Sequence, residues 1–340
     1  MGVIAVNDRS VSLLENYDIE VLRTWKGRGA ILCETPQGLL ILKEYAGHKE
    51  KAAFQNALLN MVTENNFKNV EHLLKNKEQE LLTRDQDGIY YVLKTYFEGR
   101  ECNVRDMNEC SLAMNALASF HNATRTDAPF PGAYVSRPAH VEFERHNKEL
   151  RRVRKYLKDR SQKTDFEIYL MQCYDYFFNL ALQITEELRF YQNEALHERE
   201  ALHEGKACFV CHGDFQHHNI MICENGIHLV NFEKCAFDSP VRDLYLFMRK
   251  LLEKNNWDEK IGFELVDSYD KIRPMEKEEY RQLFYRLSYP EKFWKIVNFY
   301  YNSGKAWIPG KNLEKLKKVI GQEKDKQAFL EKFKTRYELS

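Results

Sequence analysis

Three side chains, Asp214, Asn219 and Asn231, have the types and spacing that could do chemistry. They lie in a run that reads Val210-Cys211-His212-Gly213-Asp214, continues to Asn219, turns at Glu224-Asn225-Gly226 and ends at Asn231-Phe232-Glu233. A carboxylate five residues ahead of a carboxamide suits phosphoryl transfer. The first can take the proton of an acceptor hydroxyl while the second supplies an oxygen to Mg²⁺ held against the phosphates. Asn225-Gly226 is good tight-turn chemistry, and the hairpin it predicts would return residue 231 to the side of Asp214. A second metal oxygen is wanted there, normally from a carboxylate, whereas Asn231 offers one neutral carbonyl. Glu233, two residues on, is the candidate replacement. Two outcomes stay open: metal binding is rewired, or catalysis is lost.

The elements that must position these groups are strands ahead of the site and helices around it. Alternation and turn chemistry predict strands over 17–23, 30–34, 39–43 and 89–93, with hairpin turns at Thr35-Pro36-Gln37-Gly38 and Asp87-Gly88. Residues 49–64 have helical spacing, with Ala53, Ala57, Leu58 and Met61 on one face. A five-stranded sheet with one helix is expected over roughly 15–95. Helices are expected over 110–121, 141–157 and 166–189, then to the end, interrupted by a β island at 209–233. The fold class is therefore α+β and two-lobed. A small β-rich lobe spans 1–95, a crossover 96–103, and a large helical lobe 104–340.

Composition narrows the function classes. Lys plus Arg and Asp plus Glu both number 51, a balance that argues against a dedicated nucleic-acid binder. No stretch approaches the roughly 18 apolar residues of a membrane span. Cys208 and Cys211 stand three apart in an apparent strand and would face opposite sides, which opposes metal chelation and favours reduced, structural thiols. His217 and His218 are adjacent and point apart, so paired ligation is disfavoured. Lys148, Arg151, Arg152 and Lys155 form a basic stripe at helical spacing, by default a solvated face. The aromatic runs near 284, 293 and 299–301 read as core helices.

The longer motifs resemble the aminoglycoside-phosphotransferase and choline-kinase superfamily, and within it the CotS-type spore coat proteins of endospore-forming bacteria. The resemblance rests on Tyr96-Phe97-Glu98-Gly99-Arg100-Glu101-Cys102, Leu117-Ala118-Ser119-Phe120-His121, the His212-Gly213-Asp214 loop, the block from Arg242-Asp243 to Lys250, and Tyr289-Pro290-Glu291-Lys292-Phe293-Trp294-Lys295. It implies a protein-kinase-like fold with ATP and Mg²⁺ as cofactors. Lys43 would grip the nucleotide phosphates and Glu50, early in the next helix, would orient it. Gly27 and Gly29 would lie in the nucleotide-covering loop. Residues 95–99, including Tyr96 and Glu98, would form the adenine hinge. Asp214 would be the base, Asn219 a metal ligand, and Asn231 with Glu233 the second metal position. His212 and Asp243 would support the loop.

Two functions compete on these grounds. One is an ATP- and Mg²⁺-dependent phosphotransferase acting on a small-molecule hydroxyl. The other is a catalytically degenerate, kinase-like scaffold or nucleotide-binding component of the spore coat. Synthesis in the cytoplasm, assembly into the coat and contact with other coat proteins follow from the resemblance, with neither nucleic acid nor membrane as a partner. On sequence alone, an aspartate restored at 231 is expected to tighten Mg·ATP binding.

Overall fold

The computed structural model describes residues 11–27, 29–130, 132–202, 207–302 and 309–339. Arg28, inside the Gly27/Gly29 turn, lies outside the described residues. The chain divides into two compact units. The first takes the described residues up to Val135, Ala207–Asp243 and Ser268–Arg273. The second takes the described residues of 136–206, Leu244–Asp267 and those from Pro274 onward.

In chain order the first unit opens with β1 (Arg23–Gly27), β2 (Ala30–Thr35), β3 (Gly38–Glu44), α1 (Lys49–Glu64), β4 (Leu73–Leu74), β5 (Thr83–Arg84), β6 (Tyr90–Thr95), β7 (Arg100–Glu101) and α2 (Met107–Ala123). Then come α3 (Ala139–Asp159) and α4 (Asp165–Leu202) of the second unit, followed by β8 (Val210–Cys211), β9 (Ile220–Cys223), β10 (Gly226–Leu229) and β11 (Ala236–Phe237) of the first. The remaining helices are α5 (Val241–Lys254), α6 (Glu259–Asp270), α7 (Lys277–Ser288), α8 (Glu291–Asn302), α9 (Pro309–Gly321) and α10 (Glu323–Arg336), with the unit boundary falling inside α5 and α6. The fold class is α+β, as the alternation of patterns predicts. Among the described residues no helix is long and apolar enough to cross a membrane.

The main sheet runs β1-β2-β3-β6-β4, with β5 also pairing β6, so it has six strands and not five. The extra strand arises because the chain between α1 and β6 touches β6 twice, in two-residue stretches too short to register as alternation. The strand expected over 17–23 is absent. Residues Val11–Asn16 form a 3-10 helix, and Leu13, Leu14 and Tyr17 are buried with Ile31, Cys33, Leu40, Leu42 and Leu93. The β2–β3 hairpin closes where expected, with the Thr35 hydroxyl donating to the Gly38 carbonyl at 2.8 Å. α2 begins earlier than its apolar pattern because Asp106 caps it, accepting from the Asn108 and Glu109 amides.

In the second unit Leu150, Phe166, Phe177, Phe293, Tyr300 and Leu316 share one core. The aromatic runs near 293 and 300 are thus mainly packing, with Phe177 stacked on Phe293 at 4.6 Å. Lys148, Arg151, Arg152 and Lys155 are exposed along α3.

The sharpest backbone constraint lies at Gly213. Its φ is +78°, and an added Cβ would sit 2.1 Å from the Lys234 carbonyl oxygen. Gly213→Ala should therefore cost at least about 2 kcal/mol, whereas Gly29→Ala, at φ +68° in open space, should cost only about 1 kcal/mol. Urea unfolding midpoints of the two variants check this, and equal losses would contradict the close approach at Gly213.

Candidate functional site

The site is built within the first unit from one sheet face and one loop cluster. In β3, Leu40 and Leu42 are buried on the face that packs against Leu13 and Tyr17, so Ile41 and Lys43 point the other way. The β3–β6 register pairs Ile41 with Lys94 and Lys43 with Val92. Lys43 and Lys94 are therefore diagonal neighbours on that second face. Lys43 remains about a third exposed, at 32%, whereas Lys94 is only 2% exposed.

A buried lysine needs a buried acid. Glu71, 1% exposed, lies 2.8 Å from the Lys94 ammonium. It is delivered by a short pairing of the chain after α1 with β10. Val70 bridges Leu229 in parallel, and the Asn69 side chain and carbonyl bond to the Ile227 carbonyl and the Leu229 amide. Two residues beyond Leu229 the chain turns at Asn231 in the left-handed region, φ +67° and ψ 59°, which asparagine tolerates. Glu71 accepts the amides of Asn231 at 2.9 Å and Phe232 at 3.2 Å, and the Gln55 side chain at 3.3 Å. One buried carboxylate thus fixes the turn and anchors a lysine.

Both ammoniums converge on residue 231. Asn231 Oδ1 accepts from Lys43 at 3.0 Å and from Lys94 at 3.1 Å. Glu233 Oε1 accepts from the same two, at 3.0 and 3.1 Å. Burial would raise the Glu233 carboxyl, but the Lys94 and Lys43 ammoniums outweigh it and bring its pKa to about 2. For Lys94 burial pulls the pKa down, and the Glu71 and Glu233 carboxylates more than offset it, so it stands above the usual lysine value. Asn231 Nδ2 donates to Asn219 Oδ1 at 2.9 Å, and Asn219 Nδ2 donates to the Asp214 carbonyl at 2.8 Å.

Asp214 is held from below. Buried Asp243 accepts the amides of His212 at 2.6 Å and Gly213 at 2.9 Å, with His121 Nε2 at 3.2 Å. His212 accepts the Asp214 amide on Nδ1, which leaves its Nε2 proton for the Val230 carbonyl at 2.9 Å. The Asp214 carboxylate receives Lys234 at 2.9 Å and the Gln216 amide. Burial pushes its pKa up, and Lys234 together with His212 and Gln216 more than offsets that, keeping it below the ordinary aspartate value. The lowered pKa favours the ionised carboxylate, whose two oxygens both carry a donor.

A divalent metal does not fit the donor set. Asn231 Oδ1 spends both lone pairs on ammoniums, and Asn219 Oδ1 already accepts the Asn231 amide. A Mg²⁺ bound to Asn231 Oδ1 at about 2.1 Å would lie within about 4 Å of two cations. At an effective dielectric near 20 that repulsion is roughly 8 kcal/mol per lysine. The Glu233 carboxylate is already neutralised at Oε1 by the same two lysines, which a metal bound there would also face. Among the described residues the one cluster with metal-ligand geometry is His121, Cys211 and Asp243, all buried, in which Asp243 is already engaged by His212, Gly213 and His121.

The expected Lys43–Glu50 pair is replaced. Glu50 lies exposed in the first turn of α1, where a negative charge suits the helix dipole, and Lys43 pairs with Glu233. The inward polar residue of α1 is Gln55, which reaches Glu71. Gly27 and Gly29 flank the β1–β2 turn, and the Tyr96 amide bonds to the Leu39 carbonyl, while Glu98 is exposed. Lys94, Glu71 and Lys234 escape sequence reasoning. A charge between Leu93 and Thr95 in an interior strand is the signal for Lys94; nothing local marks Glu71.

A family model described as "Spore coat putative kinase YutH" matches residues 10–333. Spore coat protein S of Bacillus subtilis is 29% identical over 129 residues, 37% of this chain and 37% of that protein. The match therefore spans little more than a third of that curated relative. A crystal structure of an aminoglycoside phosphotransferase from Alicyclobacillus acidocaldarius is similar over 97% of this chain and 96% of its own, with a TM-score of 0.81 at 19% identity. Amicoumacin kinase hAmiN, in complex with AMP-PNP, Ca²⁺ and Ami, matches over 95% and 94% with a TM-score of 0.61 at 11% identity. At such identities the likeness is one of fold.

Removing Lys94 strips the partner from a buried carboxylate. Lys94→Met should destabilise by about 3–5 kcal/mol, and Lys94→Met/Glu71→Gln should recover a large part of it. Chemical denaturation of both variants checks this. The depressed Glu233 carboxyl favours the fold above its unfolded value of 4.5, and that contribution should fade as pH falls from about 4.5 towards 2. An acid-unfolding titration should show Glu233→Gln losing less stability than the parent over that window.

Proposed function

We propose, from the premise that this chain belongs to the spore coat kinase YutH family, that it is a kinase-like spore coat component that binds a nucleoside phosphate at Lys43. The observation that carries this reading is the Lys43 ammonium itself, part-exposed on a strand and 3.0 Å from Asn231, whose side chain is bonded to Asn219 of the loop that holds Asp214. A strand lysine linked through Asn231 and Asn219 to the Asp214 loop suits gripping phosphates next to an acceptor. In this reading residues 1–95 cover the nucleotide, with Gly27 and Gly29 in the covering turn. Residues 96–103 then form a hinge, with Tyr96 and Glu98 near the base, and 104–340 form the helical lobe with the β island at 209–233. Its place is the spore coat, among other coat proteins, and its ligand is ATP or a related nucleotide.

A second reading is favoured by Asp214. Its carboxylate is ionised, its loop is braced by His212 and Asp243, and it could still accept the proton of a small-molecule hydroxyl as a phosphoryl group transfers. Against it stand the two contacts that cap that carboxylate, from Lys234 and Gln216. Asp214→Asn separates the two readings: nucleotide binding should persist in both, and phosphate release should fall only if the site is catalytic.

Lys43→Ala should weaken nucleotide binding by about 1–3 kcal/mol, the scale of a charge-assisted hydrogen bond. Isothermal titration with ATP and ADP measures it. An unchanged affinity would place the nucleotide elsewhere.

A further inference from the structure

Lys94 and Asn231 explain each other. The carboxamide of Asn231 accepts from two ammoniums with its oxygen and donates to Asn219 Oδ1 with its nitrogen. An aspartate there would keep the first contacts and turn an acceptor against an acceptor at Asn219. Asparagine is thus the residue that the lysine pair and Asn219 together require, and it is more than a weakened metal ligand.

The two lysines differ in freedom. Lys94, 2% exposed, is held by Glu71, Glu233 and Asn231, and Glu71 is in turn fixed by two backbone amides and Gln55. Lys43 is a third exposed, and its acidic partner Glu233 is 26% exposed. Lys43 can turn towards an incoming phosphate. When it does, Lys94 stays 3.1 Å from Glu233, so that carboxylate does not face the phosphate uncompensated. A fixed cation behind residue 231 is the service that a metal ion performs at such a centre.

We propose that Lys94 is the resident cation of this site, and that a nucleoside phosphate is bound there without a divalent metal, Lys43 meeting the phosphate while Lys94 holds Asn231 and Glu233. This rests on the nucleotide-binding reading above and adds to it the exclusion of metal. The expectation that an aspartate at 231 would restore Mg²⁺ binding changes accordingly, since its new charge would be taken up by Lys94, which stays beside residue 231 when Lys43 turns to the phosphate.

The test is isothermal titration of ATP and ADP into the full chain, once in Mg²⁺ and once in EDTA. The expected result is dissociation constants that agree within about twofold. A tightening of about tenfold or more in Mg²⁺ would overturn the metal exclusion and leave the nucleotide site standing. No binding in either buffer would overturn both. Lys94→Met strips Glu71 of its partner and risks unfolding, so the second arm uses Asn231→Asp. That variant should remain insensitive to Mg²⁺. If it acquires a Mg²⁺-dependent gain of about tenfold, the residue at 231 alone excluded the metal and the role given to Lys94 is wrong.

Discussion

The buried pair of Lys94 and Glu71 is the interaction on which the site depends. Neither side chain reaches solvent, and their 2.8 Å contact joins the central strand β6 to the segment that runs beside β10. An ion pair this deep repays its desolvation only when its remaining hydrogen-bonding capacity is filled. That requirement shapes the surroundings. Glu71 fills its capacity with the Asn231 and Phe232 amides and with Gln55, and Lys94 fills its own with Asn231 Oδ1 and Glu233. The left-handed turn at Asn231, the direction of its carboxamide and the low pKa of Glu233 are consequences of satisfying one buried pair.

A second constraint acts independently from the other side of the loop. Asp243 gathers the amides of His212 and Gly213, and His212 links the Asp214 amide to the Val230 carbonyl. Asn219 then joins the two systems, with one hydrogen bond to the Asp214 carbonyl and one from the Asn231 side chain. The site is accordingly a continuous network from Asp243 to Glu71 in which every residue singled out has a polar partner. Such a network is rigid where fully satisfied. The part-exposed groups, Lys43, Glu233 and Lys234, are the ones with freedom to answer a ligand.

Much of this frame is legible in the sequence, for physical reasons. The β2–β3 hairpin and α1 are local: each forms within one short, contiguous stretch of chain, 30–44 and Lys49–Glu64. The Asn225-Gly226 hairpin is equally local, and the five-residue step from Asp214 to Asn219 reports a loop with one geometry. What escapes is long-range pairing. Glu71 and Asn231 are 160 positions apart and meet through a single parallel bridge. Assigning the acid to Glu50 follows from helix position alone, and fails because α1 turns Gln55 inward instead. Lys94 falls one residue beyond the strand expected over 89–93, whereas β6 runs on to Thr95, and its partner Glu71 lies outside any local pattern. That residue 231 departs from a metal-binding pattern is visible in the sequence; that Lys94 donates to its side-chain oxygen is not.

Anomalous diffraction from crystals grown with ADP and Mn²⁺ addresses the central claim most directly, because it locates the metal atom itself. The account predicts electron density for the nucleotide phosphates near Lys43 and no anomalous peak within coordination distance, about 2.5 Å, of Asn219 Oδ1 or Asn231 Oδ1. A manganese peak bridging those two oxygens, with Lys94 displaced from Asn231, would contradict it.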